Sequence, residues 1–124
     1  LTNSGRHAEA VQQLQRTLAM RPNDDEARRY LGKALAALGR VEDARAVWLE
    51  ALGEARRQGA PRAEWPPLVA LHDNEPDPAM QARYLREATE VIDFIAAHLE
   101  EPELRAAFLA LPDVSRVMAA DTDE

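Results

Sequence analysis

The sequence predicts an all-α fold in which helix-turn-helix repeats stack as a solenoid and end in C-terminal capping helices. Three observations carry that expectation. Apolar residues recur at steps of three and four through most of the 124 residues, which is the spacing of one helical face. Hydrophobic residues make up 46% and aromatics only 5%, with alanine and leucine supplying most of the apolar content; such a composition favours helices. Finally, Gly39, Arg40, Ala44, Trp48 and Leu52 have counterparts 34 positions earlier in Gly5, Arg6, Ala10, Leu14 and Leu18. One supersecondary unit therefore recurs at a fixed interval.

Residues 1–22 read as the second half of such a unit, a helix from about Arg6 to Met20 that buries Val11, Leu14 and Leu18. Its partner helix would lie before Leu1, so the chain reads as a fragment, with Leu14 and Leu18 at an open edge suited to a second copy or to upstream chain. Residues 23–57 form a complete unit. In its first helix Ala27, Tyr30, Leu31, Ala34, Leu35 and Leu38 share a face. Asn23 and Glu26 are spaced as a capping box, and Asp24, Asp25 and Glu26 crowd the positive end of the helix dipole. Gly39 supplies a left-handed residue to end the helix, since it has no Cβ to clash. The second helix carries Ala44, Val47, Trp48, Ala51, Leu52 and Ala55, with Arg56 and Arg57 at its negative end. Neither helix buries its stripe alone, so the two pack as an antiparallel hairpin. Gly32, Ala34, Ala44 and Ala51 let the backbones approach, and Trp48 fills the space these small residues leave.

A 34-residue helix-turn-helix period with Leu31-Gly32, Gly39, Ala44, Ala51 and the loop residue Pro22 resembles the tetratricopeptide repeat over residues 1–56. The departures are few. An aromatic is usual where Leu35 stands, a bulky aromatic or apolar residue is common at Arg28, and Arg56 replaces the loop proline. The resemblance implies a right-handed array whose first helices line a concave groove for a peptide or helix of another protein, without catalysis or a cofactor.

Beyond Arg57 the pattern weakens. Gln58-Gly59-Ala60-Pro61 reads as a loop. Trp65-Pro66-Pro67 is awkward inside a helix, which places a short helix from Pro66 to about Asp73, or a slightly earlier start with a kink. Asp77-Pro78 is a strong start signal, after which Leu85, Ala88, Val91, Ile92, Ile95 and Leu99 run at helical spacing. Residues 61–100 thus form a degenerate third repeat. Glu101-Pro102 opens a helix with Leu104, Ala107, Phe108 and Leu111 on one face, and Pro112 allows a last turn through Val114, Val117 and Met118. Residues 101–120 are the expected cap of a single domain over 1–120, and 121–124 a frayed tail. The string Pro102-Glu103-Leu104-Arg105-Ala106-Ala107-Phe108-Leu109 also resembles the end of repeat arrays in large bacterial signalling ATPases, nucleotide cyclases and activator-type regulators. That likeness implies an alternative role as a regulatory arm of a larger protein, packing on its own chain or self-associating.

Net charge is −7 and uneven: residues 1–57 hold ten basic against eight acidic residues, and residues 58–124 hold five against fourteen. A net acidic surface without a basic stripe disfavours nucleic acid; the acidic half serves solubility, a basic partner or an intramolecular dock. The absence of cysteine removes disulfides and thiolate metal sites and suits the cytoplasm. No apolar run is long enough to span a membrane. Phosphate loops, metalloprotease motifs and nucleophile elbows are missing, and His7, His72 and His98 have no second ligand three or four positions away. No catalytic, metal or cofactor residues are expected.

What remains is a cationic spot. Arg29 and Lys33 lie one turn apart on the first helix of the complete unit, bordered by Glu26 and Tyr30. The resemblance places this helix in the groove, so Glu26, Arg29, Tyr30, Lys33 and Ala37 are the expected partner-binding residues. The carboxylate clamp that some family members build on three successive first helices is not expected, because the third presents Ala63, Pro66, Pro67 and Ala70. Trp65 is either a core residue or a second anchor.

Overall fold

In the computed structural model, residues 3–122 are described, and these form α1 (Asn3–Met20), α2 (Asp25–Ala37), α3 (Val41–Gln58), α4 (Pro61–Asp73), α5 (Pro78–His98), α6 (Pro102–Leu109) and α7 (Pro112–Thr122). The described residues contain no strand, so the fold is all-α and its helices follow the repeat pattern. The chain divides into two compact units, Leu1–Glu54 and Ala55–Glu124.

In the first unit α1 packs along α2, and the core is Val11, Ala27, Leu31, Leu35, Ala44, Trp48 and Leu52. Leu14 and Leu18 are half-buried. Gly32 lies directly beneath the Trp48 indole: a Cβ built there would stand 2.2 Å from Nε1. The hairpin needs this glycine, because the ring fills the space that a side chain would take. At the end of α2, Gly39 has φ +79°, its N–H donates to the Ala36 carbonyl at 3.0 Å, and Arg40 N–H reaches the Leu35 carbonyl at 2.9 Å. The same pair of bonds closes α3, where Gly59 (φ +61°) donates to Arg56 and Ala60 to Ala55. Both are glycine-terminated Schellman turns.

One cap differs from expectation. Asp24, not Asn23, is the N-cap of α2, its Oδ1 accepting from the Ala27 N–H at 3.0 Å. A shift of one residue moves the accepting oxygen from an amide to a carboxylate, which also faces the positive helix end with a full charge. Asp24→Ala should cost about 1 kcal/mol in urea unfolding, whereas Asn23→Ala leaves the midpoint in place; equal losses would return the cap to Asn23.

In the second unit α4 and α5 form an antiparallel pair with Leu68, Leu71, Leu85, Ala88 and Ile92 at its centre, each no more than 1% exposed. Every helix that begins in this unit starts with proline: Pro61, Pro78, Pro102 and Pro112. Proline suits that position because its fixed φ is helical and its missing N–H would have no partner there. The start of α4 lies five residues before the expected Pro66, with Pro66 and Pro67 both inside the helix. An interior proline costs about 3 kcal/mol, and here burial of Leu68, Val69 and Leu71 immediately afterwards outweighs it. Asp77 caps α5 as expected, accepting from Ala79 at 3.2 Å.

Both α6 and α7 pack on α5. Val114 and Val117 of α7 are fully buried. Arg116 beside them makes two 2.9 Å bonds to the Asp73 carboxylate at the end of α4, and hydrogen bonding to Asp73 holds its guanidinium above the ordinary arginine pKa. The expected last turn is therefore a full helix reaching Thr122; residues 123 and 124 of the expected tail lie outside the described residues. By contrast α6 buries no residue completely, and Leu104 on its expected inner face is 53% exposed. It is held by Phe108, edge-on to Trp65 at 6.1 Å, and by Arg105, which donates to the carbonyls of Ala96 at 3.0 Å and Leu99 at 2.6 Å. Trp65 itself is half-buried.

Candidate protein-binding surface

The geometry of α2 follows from its own periodicity. Ala27, Leu31, Ala34 and Leu35 are buried, so the helix is fixed in rotation, and Glu26, Arg29, Tyr30, Lys33 and Ala37 are all exposed along the other side. Tyr30 falls at the spacing of the apolar face, yet it is 50% exposed. Tyrosine and arginine are the side chains that protein interfaces favour, being large, amphipathic and able to donate hydrogen bonds.

Three basic residues sit within two turns of this helix, and their fates differ. Arg28 is only 6% exposed. Its guanidinium donates to the Pro22 carbonyl in the preceding loop, with Asp25 Oδ1 at 3.4 Å and Glu50 Oε1 of α3 at 3.8 Å. Arg29 and Lys33 make no ion pair with any described residue, and neither does Glu26. Arg28 therefore fastens loop, α2 and α3 together, while Arg29 and Lys33 keep their charge available.

Sequence reading missed the role of Arg28, treating it only as a departure from an apolar position. The signal was present: residue 28 is three before Leu31 and seven before Leu35, on the buried stripe, with Asp25 one turn earlier. A long arginine stem can line apolar surface while its head reaches a polar rim.

A cleft lies wholly within the second unit. The start of α4 (Ala60, Pro61, Arg62) and the end of α5 (Phe94, Ile95, His98, Leu99) enclose an apolar cleft of about 310 Å³. Phe94 is 52% exposed and stacks on His98 at 4.1 Å, while the His98 Nδ1–H donates to the Phe94 carbonyl at 2.8 Å. Among the described residues no group of three His, Asp or Glu side chains is placed to hold a metal ion, and no helix is long and apolar enough to cross a membrane.

Residues 2–61 match the family model of the tetratricopeptide repeat. Over that span the sequence is similar to the tetratricopeptide repeat family. No curated protein and no solved structure matches it. The tetratricopeptide repeat is generally a non-catalytic module through which proteins contact one another. In this segment the Gly32–Trp48 contact and the Gly39 turn are the packing that sets α2 in place, and the exposed side of α2 is what that packing leaves open.

Proposed function

We propose that this chain is a non-catalytic interaction module of the cytoplasm that holds a peptide or helix of a partner protein against the exposed side of α2, with Glu26, Arg29, Tyr30, Lys33 and Ala37 as its contacts. One observation carries the reading: on a helix whose neighbouring Arg28 is consumed by internal bonds, Arg29 and Lys33 have no ion pair among the described residues. Two unpaired cations one turn apart beside an exposed tyrosine suit a carboxylate-bearing segment. Steering and register come from the charges, and contact area from Tyr30.

The regulatory-arm alternative places that segment in the same polypeptide, or in a second copy meeting the half-buried Leu14 and Leu18. One experiment addresses the α2 surface in either case. A partner recovered by affinity capture from native extract is titrated against the whole chain and against Arg29→Glu/Lys33→Glu. The double reversal is expected to weaken binding at least about tenfold, or ~1.4 kcal/mol, more steeply at low salt. Unchanged affinity removes α2 as the contact.

A further inference from the structure

The outer side of α5 is an uncovered helical surface of the second unit. Tyr84, Leu85, Ala88, Ile92 and Ile95 spend one side of this helix on the core, which leaves Glu90, Asp93, Phe94 and Ala97 exposed at positions i, i+3, i+4 and i+7. Phe94 forms the lip of the 310 Å³ cleft. That volume is at the low end for a binding pocket, roughly 300–1,000 Å³, so it suits an anchoring side chain better than an enclosed small molecule.

Charge specifies what kind of chain the anchor belongs to. Asp93 precedes Phe94, Glu90 is one turn earlier, and Glu100 and Glu101 follow Leu99. All four are exposed, and none makes an ion pair with a described residue. Arg62 is the single arginine on the cleft wall, and nearby Arg105 is bound to backbone carbonyls. The whole unit holds seven arginines against fourteen acidic residues, a net charge of −7. An acidic partner, or the phosphates of nucleic acid or membrane, would meet like charge here.

We propose that the second unit docks a basic amphipathic helix of another protein, one apolar side chain of which enters the cleft against Phe94 and Ile95 while its lysines or arginines meet Glu90, Asp93, Glu100 and Glu101. Helical recognition fits because α5 presents Glu90 one turn from its aromatic lip at Phe94, the spacing at which a second helix presents charge beside an apolar anchor. The surface belongs to α5 and is independent of the α2 reading.

The test uses the whole chain and a fluorescein-labelled amphipathic helix of leucine and lysine, followed by anisotropy. Phe94→Ala is expected to weaken binding about tenfold, and Asp93→Lys/Glu101→Lys by at least as much. Arg29→Glu/Lys33→Glu should leave the affinity within about twofold, so failure here is distinguishable from failure of the α2 surface. Circular dichroism and urea midpoints establish that each variant is folded, with Phe94→Gln replacing any alanine variant that is not. Binding that survives loss of the Phe94 ring, even if charge reversal reduces it, overturns the proposal, because attraction would then be diffuse and without an anchor. Equal binding of a leucine and glutamate helix overturns it as well.

Discussion

Gly32→Ala should destabilise the first unit by about 3 kcal/mol, although alanine is intrinsically the better helix former by about 1 kcal/mol. The reason is the 2.2 Å separation between the added Cβ and Trp48 Nε1, with Cδ1 at 2.8 Å and Cε2 at 3.0 Å. Three atoms of a rigid, buried ring are involved, so no flexible side-chain end can swing away. Overpacking of this kind costs roughly 1–3 kcal/mol and occasionally more; expelling the indole altogether approaches the 3–5 kcal/mol of a tryptophan truncation, by the same order-of-magnitude reasoning. The measurement is urea unfolding of the single variants and of Gly32→Ala/Trp48→Leu. Because the two positions share one volume, the double variant should be more stable than the sum of the singles by about 1–3 kcal/mol. A Gly32→Ala midpoint at or above that of the parent would mean that Trp48 does not occupy this space.

Ile92→Ala should cost the second unit about 2–5 kcal/mol. Ile92 is fully buried on α5 among Leu68, Leu71 and Leu85, which are themselves 1% exposed or less. Its truncation removes apolar burial and leaves a cavity that neighbours fixed on two helices cannot close. Phe94, two residues along the same helix, is 52% exposed, and Phe94→Ala should change stability by only about 0.5 kcal/mol. A comparable loss at both positions would show that α5 does not present Phe94 to solvent.

Much of the fold was legible in the sequence because periodicity and glycine chemistry are local. The stripes through Ala27, Leu31, Ala34 and Leu35 and through Ala44, Trp48 and Leu52 place both helices of the hairpin, and Gly39 adopts the left-handed conformation its position demanded. Asp77-Pro78 likewise opens α5 where its chemistry says it should. The misses arise where distant groups decide. Pro66 and Pro67 argued locally against a helix, but the packing of the residues that follow overrules them. Leu104 matched an inner face, yet α6 is held by the Arg105 bonds to Ala96 and Leu99 and by Phe108 against Trp65, none of which spacing reveals. Of the surface on α2, residue type and register predicted which side chains lie outside. That Arg28 turns inward while Arg29 and Lys33 do not depends on Glu50 of α3 and the Pro22 carbonyl, both brought near only by folding.

The prolines that open α4, α5, α6 and α7 have a bearing on how the chain finds its structure. After Gly59 the sequence has no glycine to mark boundaries. A proline disfavours helical geometry in the residue before it, so each of these four helices has a local reason to begin at its proline, a preference that packing overrules only at Pro66 and Pro67 inside α4. The first residue of each helix in this half is thus favoured by covalent chemistry within a few residues of chain, which narrows the registers that tertiary contacts then choose among.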